Sequence, residues 1–276
     1  MQENQLSMSV VVKAFELLGF FSVDRPELGL SELRRLAGRD KATTYRHLEA
    51  LESVGLLEQN PVTKQYRIGP VVLGLAQIRE ATTPRRAGAL TALARLAERT
   101  GETAHVSLLS GAALHTLAVQ ESSRHATRVI INESNLPLHA TSQGLAILAF
   151  GGADLMQAAR RRLIRFTEAT PTTDEALDAA VSVARQTGFG VSRNGFEDGV
   201  YGIGAPVFDH TGAVAGAVAV ASVSSRMTED LGQEVRAGLV EAARAISSNW
   251  GGQIPAALET LWARTLAPYS DQERSA

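Results

Sequence analysis

Apolar residues in the first part of the chain recur at helical spacing in three short segments. The first runs from about residue 11 to 21, and the second from a predicted N-cap at Ser31 to residue 38. The third, 41–53, carries apolar residues on one face and polar residues on the other, and Gly55 ends it. The pattern predicts three amphipathic helices joined by tight turns.

Two strand-like runs follow these helices. Residues 56–58 and 65–68 are rich in β-forming side chains, and a turn-rich segment, 59–64, lies between them. Three helices followed by a hairpin form the element order typical of a winged helix-turn-helix. We therefore expect residues 1–69 to form a DNA-binding domain of this kind, and 70–83 to form a linker helix.

Beyond residue 83 the pattern alternates between helical and strand-like segments. Helices are predicted near 85–100, 142–150, 153–165, 174–187 and 227–249, and strands near 103–110, 113–121, 127–133, 188–193, 200–209 and 213–222. Hairpin signals such as Asp209–Gly212 favour antiparallel pairing, so an α+β sheet domain is expected over 84–252. Residues 253–276 are expected to be a partly mobile C-terminal extension.

Composition supports a folded protein with two cores. Of the 276 residues, 45% are apolar and 20% charged, and no apolar run approaches the roughly 18 residues of a membrane span. The polar N-terminus does not resemble an export signal, so a cytoplasmic location is expected. The chain has no cysteine, which excludes disulfides and thiol nucleophiles, and its histidines lack metal-ligand spacing. Neither a cofactor nor a metal is expected.

Basic residues are concentrated where DNA binding is predicted. The net charge is only −2, but 30–47 contains five Arg or Lys residues and two acidic ones. On the third helix the outward donors Lys41, Tyr45 and Arg46 can reach phosphates and base edges, and Lys64 lies at the tip of the predicted wing. The candidate DNA-binding residues are Arg39, Lys41, Ala42, Thr43, Tyr45, Arg46 and Lys64.

Arg34, Arg35 and Arg39 precede this helix, and the sequence leaves two roles open for each of them. Each is either a solvated side chain or a clamp on a DNA phosphate, and neither role reads sequence. The candidate interface therefore depends mainly on the third helix and the wing.

Several short motifs occur in a characteristic order along the chain. In the first domain they are Asp40–Leu48, Gly55–Leu57 and Tyr66–Gly69, and in the second they are Thr100–Ala104, Leu136–Thr141, Gly195–Val200 and Ala205–Asp209. From Met8 to about Gly251 the sequence resembles the IclR family of bacterial transcriptional regulators. The resemblance implies a GAF-like α/β-sandwich effector domain, and homodimers that often pair into tetramers.

The resemblance also implies that a small carboxylate or aromatic effector changes operator affinity. Matching the motifs gives the candidate effector-binding residues Arg128, Leu136, Ala140, Ser142, Gln143, Ser192, Val200, Gly202, Ala219 and Ala221. Arg128 is either a partner for a ligand carboxylate or an exposed strand arginine.

The chain departs from the family pattern at the expected cavity. Gly202 stands where relatives often carry Cys, Ala219 and Ala221 replace a frequent pair of serines, and Leu145 replaces a usual Lys. A less polar cavity favours a ligand with an apolar or aromatic body and one charged or amide head. Ser142 and Gln143 are the expected anchors of that head.

The sequence thus predicts a repressor or activator of a catabolic operon, controlled by a small organic effector. One alternative is an enzyme acting on small molecules, with N-terminal helices that serve dimerisation. No catalytic constellation supports it, since Ser142 lacks the Gly-x-Ser-x-Gly elbow of a hydrolase. A further alternative is a DNA-binding protein whose second domain is purely structural.

Overall fold

The computed structural model describes residues 10–22, 24–132 and 135–267. The chain divides into two compact units, 1–84 and 85–276, and each has its own hydrophobic core. Within the described ranges, no helix has both the length and the apolarity needed to cross a membrane. The tail that was expected to be mobile, after Pro268, lies outside these ranges.

The first unit is a winged helix-turn-helix, as predicted. Its elements are α1 (Val10–Leu18), α2 (Leu30–Ala37), α3 (Lys41–Ser53), β1 (Leu57–Gln59), β2 (Tyr66–Ile68) and α4 (Val71–Thr82). Strands β1 and β2 pair antiparallel, with Glu58 opposite Arg67. Leu17, Leu33 and Leu48 bring the three helices together around a fully buried centre.

Helix α2 begins differently from the prediction. The N-cap position belongs to Gly29, which has no capping side chain, so the expected cap at Ser31 was wrong. The backbone of Leu28 exchanges hydrogen bonds with that of Tyr66, at 3.0 and 2.9 Å, and this pairing fixes the chain just before the helix. The helix therefore starts at Leu30 without needing a side-chain cap.

The second unit is built on a six-stranded antiparallel sheet in the order β5-β4-β3-β8-β7-β6. The strands are β3 (Thr103–Ser110), β4 (Ala113–Gln120), β5 (Asn135–Leu136), β6 (Gly190–Arg193), β7 (Val200–Phe208) and β8 (Val214–Val223). The helices are α5 (Ala87–Thr100), α6 (Ser142–Phe150), α7 (Ala153–Arg160), α8 (Asp174–Thr187), α9 (Glu229–Asn249) and α10 (Ala256–Leu266). Helices α5 and α9 pack together and on the sheet, while α6 packs on β6, β7 and β8. This arrangement confirms the expected α+β fold.

The strand predicted over 127–133 is not formed by its described residues, 127–132, and β5 lies further along the chain. Thr103 Oγ1 donates to the carbonyl oxygen of Val129 at 2.6 Å, so a side chain takes the place of a strand ladder there. Val129 is buried whereas Ile130 is 52% exposed. The segment therefore lies against the sheet instead of extending it.

Two helical segments also differ from the prediction. The helix expected over 153–165 ends at Arg160, and the following turn places the Ile164 carbonyl 2.8 Å from His139 Nε2. Helix α10 was not predicted. It is held by Trp262, which is fully buried against Phe189.

Candidate functional site

Helix α3 separates a core face from an outer face. Asp40 caps its start by accepting a hydrogen bond from Thr43 N at 2.8 Å. That bond lowers the pKa of the Asp40 carboxyl, because the amide stabilises the ionised form. The buried residues Thr44, His47, Leu48 and Leu51 face the core, while Lys41, Ala42, Tyr45 and Arg46 are exposed. The side chains expected to contact DNA therefore share the outer face, with Thr43 half-buried beside them.

The charge of this face comes from Lys41 and Arg46. Neither side chain makes a hydrogen bond or ion pair with any residue in the described ranges. Burial lowers the pKa of the neighbouring His47, and the positive charges of Arg39 and Arg46 lower it further. His47 is thus neutral near pH 7 and adds no charge to the outer face.

Arg39 is placed differently from the other candidates. Its guanidinium pairs with Glu16 and donates to the carbonyl oxygen of Lys13, both on α1. Only 15% of its side chain is exposed. Arg39 therefore joins the turn between α2 and α3 to α1, while Arg34 and Arg35 remain exposed on α2.

Lys64 lies in the turn between β1 and β2, as predicted. The Asn60 side chain accepts from the amides of Val62 and Thr63, which tightens the turn. Lys64 has a φ of +59°, and Gln59 Nε2 donates to its carbonyl oxygen at 3.0 Å. The backbone of the wing is thus ordered, and the Lys64 side chain is exposed at its tip.

A cavity of about 60 Å³ lies in the second unit, between the start of α6 and the sheet. Space of this size holds on the order of four water molecules, or a small organic molecule. Its lining residues come from strands and loops that converge on α6: His105, Ile130, Ile131, Leu136, Thr141, Ser142, Ser192, Phe196, Glu197, Val200, Gly202 and Ala221.

Glycines allow α6 to lie directly on β6 and β7. A Cβ at Gly202 would lie 2.7 Å from Ser142 Oγ, and one at Gly204 would lie 3.0 Å from Gln143 N. A Cβ at Gly190 would lie 2.1 Å from the Ser142 carbonyl oxygen. Side chains at Gly190 and Gly204 would meet the α6 backbone, so α6 packs directly on the backbone of these strands, and Gly202 brings strand backbone to the cavity.

Six of the ten predicted effector residues line this cavity: Leu136, Ser142, Ser192, Val200, Gly202 and Ala221. Four do not. Ala140 only contributes a carbonyl oxygen that accepts from Ser192 Oγ at 2.7 Å, and Ala219 is fully buried opposite His105 in the sheet. Arg128 is paired with Glu121 and is partly exposed.

Gln143 is the fourth, and it is a structural residue of the core. Its Oε1 accepts from Ser107 Oγ at 2.6 Å, and its Nε2 donates to the carbonyl oxygens of His105 and Ala217 at 3.1 and 3.0 Å. The side chain is fully buried. Its amide is already bonded to two strands. Contrary to the expectation that it would anchor the head of the ligand, Gln143 is therefore not available to a ligand.

The sequence analysis missed several lining residues, including His105, Phe196 and Glu197. His105 was detectable in principle, because Thr103, His105 and Ser107 alternate along a strand that otherwise faces a core, and so share one face. Burial lowers the pKa of His105 to about 4, so it is neutral near pH 7. Within the described part of the chain, its Nδ1 has no hydrogen-bond partner.

Comparison with known proteins matches both units. The IclR helix-turn-helix domain matches residues 10–61, and the bacterial transcriptional regulator IclR C-terminal domain matches residues 82–248. The chain is 28% identical to the HTH-type transcriptional regulator XynR of Escherichia coli K12, over 87% of this chain and 96% of that protein.

Solved structures of IclR proteins also match this chain. A crystal structure assigned to the IclR regulators, from Silicibacter sp. TM1040, is 39% identical with a TM-score of 0.83, covering 90% of this chain and 99% of that one. An IclR homologue from Microbacterium hydrocarbonoxydans, in complex with 4-hydroxybenzoate, has the same fold, with 24% identity, a TM-score of 0.68, and coverage of 88% and 99%. The chain belongs to the IclR family of bacterial transcriptional regulators.

Proposed function

We propose that this regulator binds operator DNA through the outer face of α3 and the β1–β2 wing. The observation that carries the proposal is the exposed set Lys41, Tyr45 and Arg46 on a helix whose opposite face is fixed in the core. Donors held in this way can enter a major groove, and Lys64 on the wing can approach the backbone.

The cavity beside α6 is proposed as the effector site. Its walls are mostly apolar with a few polar groups, which is the composition typical of small-ligand sites. The 4-hydroxybenzoate bound to the Microbacterium homologue supports a small organic effector for this chain. Ligand binding there is proposed to change operator affinity, as a repressor or an activator.

We propose a homodimer as the minimum DNA-binding species, with a tetramer formed by pairing of dimers. Helix α4 supports this, because none of its residues is buried within its unit. Leu73, Leu75 and Ile78 are 56 to 68% exposed. A second copy of the chain would cover this apolar surface, and a two-fold dimer suits a palindromic operator.

Relatives named as regulators do not support the enzyme alternative. A regulator of bacterial transcription acts on the chromosome, so we infer a cytoplasmic location.

Fluorescence anisotropy with labelled DNA from upstream of the gene tests the proposal. The full chain should bind this DNA more tightly than a scrambled duplex of equal length, and R46A should lose most of that preference. Equal affinity for both duplexes would contradict operator recognition. Absence of ligand-dependent stabilisation of the second unit across a metabolite panel would favour the purely structural alternative.

A further inference from the structure

The cavity beside α6 contains no cationic side chain among its described lining residues. Its one charged residue is an acid, Glu197, which is exposed at the cavity. Arginines near the cavity are engaged elsewhere: Arg128 pairs with Glu121, and Arg193 lies over the Tyr201 ring at 5.1 Å. A buried anionic ligand would therefore lack the charged partner that it needs.

Two of the first amides of α6, those of Gln143 and Gly144, are not free to replace the missing cation. Thr141 Oγ1 already accepts from Gly144 N at 3.1 Å. The next amide, Gln143 N, lies under the β7 backbone, so close that a Cβ on Gly204 would be 3.0 Å away. The helix start is thus largely occupied by the protein itself.

Besides the exposed carboxylate of Glu197, two polar side chains at the cavity retain bonding capacity. His105 lines the cavity with only 5% of its surface exposed, and its buried Nδ1 has no partner within the described ranges. Ser142 Oγ makes no hydrogen bond to any described residue. By contrast, Ser192 and Thr141 donate their hydroxyl protons to the carbonyl oxygens of Ala140 and Pro137.

A neutral imidazole has one donor and one acceptor nitrogen, and a serine hydroxyl is both donor and acceptor. A ligand group that donates and accepts at once can satisfy both side chains. Alcohols, phenols and primary amides have this property, whereas a carboxylate only accepts. A buried group left without a partner is costly, so such a ligand stabilises the site.

We propose that this cavity selects a compact, neutral ligand bearing a hydroxyl or primary amide, bound by His105 and Ser142, and discriminates against carboxylates. The proposal rests on the cavity being the effector site of the proposed function, and it names the class of effector. It departs from the carboxylate implied by family resemblance. The volume of about 60 Å³ limits the ligand to a small molecule.

A matched pair of probes tests the proposal by titration calorimetry on the full chain at pH 7.5. Isobutyramide and isobutyrate have the same shape and differ in charge and in the presence of a donor. Isobutyramide should bind about tenfold more tightly, as expected for one additional buried hydrogen bond. The ¹⁵N resonances of the His105 ring should shift with isobutyramide.

Variants separate binding by His105 from general effects. H105F and S142A should each weaken isobutyramide binding by about three- to tenfold, while H115F, on the exposed face of β4, should leave it unchanged. E197Q should narrow the difference in affinity between the two probes, because it removes the negative charge beside the cavity. Circular dichroism checks that each variant is folded. If H105F does not fold, S142A alone provides the test.

Equal or tighter binding of isobutyrate would overturn the proposal, as would absence of isobutyramide binding or unchanged binding in S142A and folded H105F. These titrations use no DNA. Failure of the regulatory function would instead appear as loss of operator preference in the anisotropy experiment, so the two failures are distinguishable.

Discussion

The indole N–H of Trp262 donates a hydrogen bond to the carbonyl oxygen of Gly188, at 2.9 Å. Gly188 ends α8 with a φ of +83°, and a Cβ there would lie 2.4 Å from Trp262 Cδ1. The indole also stacks near Phe189, with ring centroids 6.0 Å apart. One residue of α10 therefore fixes the turn from α8 into β6, the strand that carries Ser192 to the cavity.

W262A is expected to lower the free energy of unfolding by about 3 to 5 kcal/mol, because it leaves a large void at a fully buried position. W262F should cost less, with about 1 kcal/mol assigned to the lost hydrogen bond. Urea denaturation followed by circular dichroism measures both. The exposed neighbour variant R264A is the control, and a W262A protein as stable as that control would contradict the assignment.

R46A is expected to weaken operator binding by about 1 to 3 kcal/mol with little change in stability, because the Arg46 side chain is exposed on the outer face of α3 and forms no ion pair with a described residue. R39A should instead destabilise the first unit by about 1 kcal/mol, since Arg39 holds the turn between α2 and α3 to α1. Anisotropy and thermal denaturation of both variants separate the two roles. Unchanged DNA affinity in folded R46A would show that the outer face of α3 is not the DNA interface.

A221L and A219L should behave differently although both add a leucine to β8. Ala221 lines the cavity, so a leucine there should abolish ligand binding and leave DNA binding intact. Ala219 is fully buried away from the lining, and a leucine should overpack the core, at a cost of about 1 to 3 kcal/mol. Calorimetric titration and urea denaturation measure the pair. Full ligand binding by A221L would place the effector elsewhere.

His105 should make the stability of the second unit depend on pH. Its pKa is lowered by burial from an ordinary value of 6.5 to about 4. Between these two pH values the imidazole is protonated in the unfolded chain but not in the folded chain. Stability should be fully present above pH 6.5 and fall by on the order of 3 kcal/mol between pH 6.5 and 4. H105F should show a smaller fall than the parent chain. Parallel curves for the two proteins would contradict a neutral buried imidazole.

L75K should shift the protein from dimer towards monomer, because it places a charge in the exposed apolar surface of α4. Sedimentation velocity across a concentration series measures the change, with Q77K on the same helix as the control. A parent chain that is monomeric while binding its operator at full affinity would contradict the proposed dimer.

The fold was predictable mainly where sequence spacing alone determines an element. Helix α3 follows from its apolar repeat and from Gly55, which has a φ of +72°. The α2 start was mispredicted because a long-range backbone pairing of Leu28 with Tyr66 replaces a local cap. The segment around Val129 was mispredicted for a similar reason, since its β-forming residues bond to a side chain, Thr103, rather than to a strand.

The cavity was predictable only in part. Motif positions located Ser142 and Gly202, but did not indicate whether a neighbouring side chain points into the cavity or into the core. Gln143 follows Ser142 directly, yet its amide bonds β3 and β8, so adjacent residues have opposite roles. The alternation of Thr103, His105 and Ser107 indicates that His105 shares a face with two other polar residues, but not that this face is buried beside a cavity.

The glycine wall beneath α6 has a consequence for how such a regulator can acquire a new effector. At Gly190 and Gly204 an added Cβ meets the α6 backbone, so mutation there damages the fold before it alters specificity, whereas at Gly202 it meets only the Ser142 side chain. Across the cavity, Ile130 and Phe196 lie on irregular segments where one side chain can replace another without displacing a helix. New specificities should therefore evolve by changes on that side or at Gly202, while Gly190 and Gly204 are inherited unaltered.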